Sequence, residues 1–229
     1  MNLYLHLSWE LFIDEEMIVK RARKDRSELR KRVLEQAIKA FFSQGIRNVH
    51  MDDIAASLSI SKRTLYELFQ DKKQLLLEVM CLQRNEMHAY MEEIASKAEN
   101  ALEVIFAFYK KKSSELCEMN PAFFRDLKKY PEVVEFLRQE QRNSDAEALE
   151  HFQLGVRQGI FREDINFDII SKVMSVQLDV LVYSDLADNY PLAEIYSEIT
   201  ILHMRGITTE KGARMVDCFL QTVRSKNMN

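Results

Sequence analysis

Residues 52–73, DDIAASLSISKRTLYELFQDKK, constrain the fold most strongly, because they form the pattern of two short helices joined by a tight turn. Each predicted helix has one apolar face at helical spacing. Ser61 is a good N-cap for the second helix, and Ala55 is small enough for the helices to cross closely. The two faces are expected to share one core, which comprises Ile54, Ala55, Leu58, Leu65, Leu68 and Phe69.

The opposite side of the second helix is polar and basic. Arg63, Tyr66, Glu67 and Gln70 project away from Leu65 at 100° per residue, with Thr64 at the margin. Such a surface is typical of a helix-turn-helix whose second helix enters the major groove of DNA. The pattern alone is equally consistent with a helical hairpin in an all-α protein that binds no DNA.

The block from residue 30 to residue 80 resembles the DNA-binding domain of the TetR family of bacterial transcriptional regulators. The similar segments are RKRVLEQAIKAFFSQGI, MDDIAASLSI and SKRTLYELFQDKKQLLLEVM. The resemblance covers about the first third of the chain, and a weaker similarity to the family occurs at residues 205–212. The matching positions are Ala37, Phe41, Phe42, Gly45, Asp53, Ile54, Ala55, Ser61, Lys62, Thr64, Leu65, Tyr66, Phe69, Lys72 and Leu75.

The chain departs from the family pattern in and around the turn. His50 and Met51 stand where Ser or Thr often caps the first helix of the motif, and Ser59 replaces the usual turn glycine. Arg63 and Gln70 occupy positions where Gly and Pro are frequent, and Leu68 stands where Tyr or His is frequent. These changes leave the fold prediction intact and the operator sequence open.

The resemblance implies a homodimer that binds a near-palindromic site in double-stranded DNA, as a repressor released by a small apolar or amphipathic ligand. The Arg63 guanidinium can donate two hydrogen bonds to guanine. Contacts to the phosphate backbone suit Lys62, Tyr66 and Lys72 better. The candidate DNA-binding residues are Ser61, Lys62, Arg63, Thr64, Tyr66, Glu67, Gln70 and Lys72.

Composition predicts an all-α protein with a basic N-terminal part. Only 5 Gly and 3 Pro occur in 229 residues, which argues against a turn-rich β architecture. Residues 20–74 hold 14 Lys and Arg against 7 Asp and Glu, and residues 75–229 hold 18 against 25. The basic part suits a phosphate-rich partner, and the acidic remainder argues against nonspecific coating of nucleic acid.

Three regions are predicted: an N-terminal extension at 1–19, a helix-turn-helix DNA-binding domain at 20–74, and a helical effector-binding and dimerisation domain at 75–229. Residues 1–16 are atypical of the family, so either Met17 is the natural start or they form a short packing helix. The basic run at residues 20–32 is expected to be either a solvated helix face or an arm that reaches DNA phosphates.

The larger domain is expected to hold the ligand and the partner subunit. A long helix from Asp71 to Lys97 would link it to the DNA-binding domain, and one continuous, broadly apolar helix is predicted from Asn166 to Asp188. Candidate ligand-binding residues are Phe106, Tyr109, Phe123, Phe124, Met174 and Tyr183, each of which is also an ordinary core residue type. Candidate dimerisation residues are Val173, Val176, Val180, Tyr183, Ile195, Ile199 and Leu202.

Motifs for catalysis are lacking in the sequence. The five histidines lie far apart, and no Gly-rich phosphate loop or GxSxG elbow occurs. We therefore predict no metal, no cofactor and no enzymatic activity. The three cysteines are widely spaced and no apolar run spans a membrane, which favours the cytoplasm. A helical adaptor or a bundle enzyme that does not bind DNA remains the alternative.

Overall fold

The structure, a computed structural model, describes residues 4–226, and the side chains of residues 4–20, 22, 144–146 and 224–226 lie outside that description. The described chain is all-α, as predicted, and its β structure is limited to one antiparallel bridge between Phe161 and Thr208. The helices are α1 (Tyr4–Gln44), α2 (Met51–Ser57), α3 (Lys62–Leu68), α4 (Lys72–Lys97), α5 (Ala101–Glu118), α6 (Ala122–Leu127), α7 (Pro131–Arg157), α8 (Phe167–Ser175), α9 (Gln177–Tyr183), α10 (Leu186–Asn189), α11 (Leu192–Ile207) and α12 (Glu210–Lys226).

The chain divides into two compact units. The head unit contains Met1–Lys39 and His50–Val79, and the body unit contains Ala40–Val49 and Met80–Asn229. The predicted boundary at residues 74 and 75 therefore falls within α4. The last turn of α1 is grouped with the body.

The head unit is built around the predicted apolar faces of α2 and α3. Leu58 is only partly buried, whereas the other five residues of that predicted core are buried. Residues of α1 and α4 complete the same core, so four helices contribute to it. The buried side chains include Val33, Ala37, Ile54, Ala55, Leu65, Leu68, Phe69, Leu75, Leu76 and Val79.

The body unit packs α5 against α11 and α7 against α8. Gly159 ends α7 with a positive φ of 68°, as expected for a C-terminal glycine. The chain then pairs with the turn between α11 and α12, where the Arg162 amide donates to the Ile207 carbonyl at 2.9 Å. The core includes Leu102, Tyr109, Phe152, Ile160, Phe161, Phe167, Met204, Ile207, Val216, Phe219 and Leu220.

The prediction of one helix from Asn166 to Asp188 was wrong. The chain forms α8, α9 and α10 instead, with the first break at Val176. The Ser175 hydroxyl donates to the Lys172 carbonyl at 2.8 Å, and the Val176 amide bonds to Val173 three residues back. The backbone bond of Val176 has i−3 rather than i−4 spacing, so the α-helical pattern is interrupted at this residue.

Residues 4–16 belong to the continuous helix α1, which extends to Gln44. Core packing was considered for four apolar side chains of this segment, and all of them lie outside the described side chains: Leu3, Leu5, Trp9 and Phe12. The expectation of a separate short helix was therefore wrong, because the segment continues into α1 without a break.

Candidate nucleic-acid interface

The turn between α2 and α3 has the geometry that the sequence predicted. Ser59 adopts a left-handed conformation with a φ of 54°, where a glycine would meet no steric cost. The Ser61 hydroxyl caps α3 by accepting a hydrogen bond from the Thr64 amide at 3.0 Å. This bond supports the first turn of the helix that carries the candidate reading face.

The start of α2 is held by Asp53. Its carboxylate accepts a hydrogen bond from the His50 amide at 3.0 Å. His50 stands at the N-cap position with an exposed side chain. The Asp53 carboxylate thus bonds the backbone amide of His50, which stands where the family often has Ser or Thr.

The candidate DNA-binding residues lie on the outer side of the motif. Thr64 and Lys72 are partly buried. The exposed ones are Ser61, Lys62, Arg63, Tyr66, Glu67 and Gln70. Tyr66 is 49% exposed. The structure brings this set together on and next to α3.

The two basic side chains at the start of α3 each contact a carboxylate. Lys62 donates to Asp52 of α2, and Arg63 donates through Nε to Glu67 at 2.9 Å. The hydrogen bond to Asp52 raises the pKa of Lys62, and the one to Glu67 raises the pKa of Arg63. Both side chains therefore stay positively charged. To bond an acceptor on DNA, each would have to leave its carboxylate partner. Sequence reasoning missed the role of Asp52.

The basic run before α2 is largely exposed to solvent, as one of the two expectations had it, but two of its arginines also contact α3. Arg26 and Arg30 of α1 donate hydrogen bonds to backbone carbonyls at the end of α3. The sequence shows that Arg26 and Arg30 share one face of a helix. It does not show which carbonyls they contact, because that depends on how α1 packs against α3.

The candidate ligand residues occupy three places in the body. Phe106 stacks on Phe219 with ring centres 3.9 Å apart, and Tyr109 shares a 2.7 Å hydrogen bond with Ser197 in the same core, against which Met174 also packs. Phe123 and Phe124 contact each other edge to face elsewhere, and Tyr183 is 52% exposed. A surface cavity of about 470 Å³ is lined by other residues, among them Leu149, Val156, Ile165 and Phe167.

Most of the candidate dimerisation residues present apolar surface. The exposed fraction is 47% for Val173 and Val176, 52% for Tyr183 and 73% for Leu202. Val180 and Ile199 are partly buried, whereas Ile195 is buried within the protomer and offers no surface to a partner.

Two further observations concern the described residues only. No helix among them is long and apolar enough to cross a membrane. No group of three or more His, Cys, Asp and Glu side chains among them is placed to hold a metal ion.

A family model described as bacterial regulatory proteins, tetR family, matches residues 33–79. Over these residues the chain is similar to the TetR family. The matched region contains the end of α1, α2, α3 and the first part of α4, so the similarity rests on the helix-turn-helix described above.

Sequence relatives of this chain include an HTH-type transcriptional regulator of Staphylococcus aureus, strain bovine RF122 / ET3-1. It is 35% identical over 83 residues, which are 36% of this chain. The match spans 45% of that relative, less than half its length.

Solved TetR-family structures resemble most of the chain. A regulator from Marinobacter aquaeolei VT8 covers 84% of this chain and 97% of its own, with a TM-score of 0.64 and 20% identity. A gamma-butyrolactone receptor, described as ArpA-like, covers 88% and 98%, with a TM-score of 0.57 and 16% identity. At these identities the likeness concerns the fold alone.

Proposed function

We propose that this protein is a transcriptional regulator that binds double-stranded DNA through α3. The observation that carries the proposal is the exposed polar face of α3, which contains Lys62, Arg63, Tyr66 and Glu67 and lies opposite buried Leu65. Arg63 can donate two hydrogen bonds to the major-groove edge of guanine. The relatives named as transcriptional regulators support this assignment.

The binding experiment compares two duplexes of equal length over a range of salt concentrations. One is the consensus that the purified protein selects from a random pool, and the other is its scrambled sequence. Affinity for both should fall linearly on a log–log plot as phosphate contacts release counterions, and the consensus should bind more tightly. An adaptor that never touches DNA would bind neither duplex.

We further propose that the regulator is a homodimer with a near-palindromic operator. The exposed apolar side chains of α8, α9 and α11 supply a surface for a second copy, with Leu202 the most exposed among them. Two α3 helices related by a two-fold axis would enter successive major grooves about 34 Å apart, or a small multiple of that distance. Sedimentation equilibrium of the free protein measures the stoichiometry directly.

A small apolar or amphipathic effector is the proposed signal. Three buried polar atoms of the body, the Ser171 and Thr200 hydroxyl oxygens and the Gln177 amide nitrogen, have no hydrogen-bond partner among the described residues. Such groups are costly inside an apolar core, and a ligand that bonds to them would remove the cost. The structure named as a gamma-butyrolactone receptor supports a ligand-responsive role for this fold.

A ligand screen tests the effector proposal. Compounds that raise the melting temperature of the protein would be added to the complex with its consensus duplex. An effector that favours one spacing of the two heads should change DNA affinity by about 1–3 kcal/mol. If every stabilising compound leaves that affinity unchanged, control by a small molecule is the wrong model.

A further inference from the structure

The C-terminal end of α3 has one local cap bond, which the Phe69 amide donates to the Leu65 carbonyl at 2.9 Å. The helix ends at Leu68, and the next residue, Phe69, is extended, with φ −137° and ψ 121°. The last turn of α3 contains no basic side chain. The final carbonyls of a helix have no intrahelical partner and form the negative end of its dipole, so they need donors from elsewhere.

Two arginines of α1 supply these donors. Arg26 donates through Nη2 to the Glu67 carbonyl at 2.9 Å, and Arg30 donates through Nη1 to the Leu68 carbonyl at 2.7 Å. Residues at i and i+4 share one face of a helix, so both guanidinium groups reach α3 from the same side of α1. Their positive charges complement the helix dipole.

Arg30 also contacts two further parts of the head. Its Nη2 forms an ion pair with Glu78 of α4, and its guanidinium carbon lies 4.3 Å from the ring centre of Phe69, which is fully buried. The planar, forked guanidinium can bond a carbonyl and a carboxylate while it stacks on a ring, which the single ammonium of lysine cannot do. One side chain thus joins α1, the end of α3 and α4.

Apolar packing between α1 and α3 is incomplete near these bonds. A surface cavity of about 290 Å³ is lined by Asp25, Arg26, Leu29, Thr64, Glu67 and Leu68. Side chains that border an open space restrain a helix less than a close-packed interface does. The angle of α3 relative to α1 is therefore set by the two arginine contacts together with the shared core, in which Leu65 and Leu68 are buried.

We infer that Arg26 and Arg30 are positioning residues that fix the orientation of α3 for reading base edges. The inference rests on the proposed DNA-binding function. Arg63 lies on α3 one turn before Glu67, so a change in the tilt of α3 shifts Arg63 relative to the groove. Hydrogen bonds to base edges are lost after small displacements, whereas attraction to phosphates falls slowly with distance. Loss of the arginine contacts should thus reduce sequence discrimination more than general DNA affinity.

The test uses Arg30→Lys, Arg30→Gln and the matched control Arg32→Gln, which removes one charge from an exposed site in the same basic run. Affinities would be measured for the consensus duplex selected by the wild-type protein and for its scrambled sequence. Arg30→Lys keeps the charge, so scrambled-DNA affinity should stay within about twofold while discrimination falls about tenfold. Arg30→Gln should lose the same discrimination, and Arg32→Gln should retain all of it.

A second variant and a folding control separate positioning from unfolding. Arg26→Lys alters the single hydrogen bond to the Glu67 carbonyl but leaves the Arg30 contacts, so it should lose less discrimination than Arg30→Lys with an unchanged melting temperature. Wild-type discrimination in both lysine variants would overturn the inference while leaving the proposed function intact. Failure of the wild-type protein to select any consensus would overturn both.

Discussion

Replacement of Ser59 by glycine should stabilise the head unit. Ser59 holds a φ of 54°, a conformation that costs an L-residue about 1–2 kcal/mol because Cβ approaches the following carbonyl. Glycine avoids this cost but loses about 0.5–1 kcal/mol more backbone entropy on folding. The net stabilisation expected for Ser59→Gly therefore lies between about 0 and 1.5 kcal/mol, with a midpoint of roughly 0.75 kcal/mol.

Hydrogen exchange is a suitable assay because it reports on the head separately from the body. The Phe69 amide, bonded to the Leu65 carbonyl at 2.9 Å, is a convenient probe at the end of α3. A gain of about 0.5–1 kcal/mol slows exchange through local opening by roughly two- to fivefold.

Two control substitutions isolate the backbone effect. Ser59→Ala removes the hydroxyl but keeps Cβ in the left-handed region, so it should give no gain. Ser57→Gly lies within α2 and should destabilise the head by about 0.5–1 kcal/mol. Exchange that is faster in Ser59→Gly than in the wild-type protein would refute the strain argument.

Three further predictions concern reading, assembly and packing. Arg63→Ala should reduce the free energy of binding to the consensus duplex by about 1–3 kcal/mol and relax the preference at one base pair. Lys72→Ala should weaken binding to consensus and scrambled DNA equally, and binding titrations on both duplexes distinguish the two variants. Leu202→Glu should shift sedimentation toward monomer because a charge replaces an apolar side chain that is 73% exposed in the protomer; an unchanged dimer would place the interface elsewhere. Gly212→Ala should lower stability by about 1–3 kcal/mol in thermal unfolding, because the added Cβ would lie 2.4 Å from the Ile160 carbonyl oxygen; an unchanged transition would contradict this packing.

The head could be predicted in detail because its signals are local. The i, i+3 and i+4 spacing of Leu65, Leu68 and Phe69 defines the buried side of α3, and its polar side follows from helix geometry. The Ser61 cap was likewise expected from adjacent residues, whereas the family resemblance was what placed Ser59 at a position usually held by a turn glycine. The roles of Arg30 and Asp52 could not be predicted, because their partners lie 38 and 10 residues away in sequence.

The body was less predictable because broadly apolar helices do not indicate which residues meet. Phe106 and Tyr183 are both large and apolar in sequence, yet one stacks in the core and the other is half exposed. The break at Val176 depends on the Ser175 back-bond, which is one of several conformations open to a serine within a helix. Ile195 fits the same apolar pattern as Leu202 but faces inward.

Selection of duplexes from a random DNA pool by the purified protein tests the central claim most directly. The account predicts enrichment of a near-palindromic sequence with two half-sites whose centres lie about one helical turn or a small multiple apart. Repeating the selection with Arg63→Ala should preserve the spacing and weaken the preference at one position in each half-site. A pool that stays random, or that yields only single-stranded or asymmetric sequences, would contradict a homodimeric regulator that reads DNA through α3.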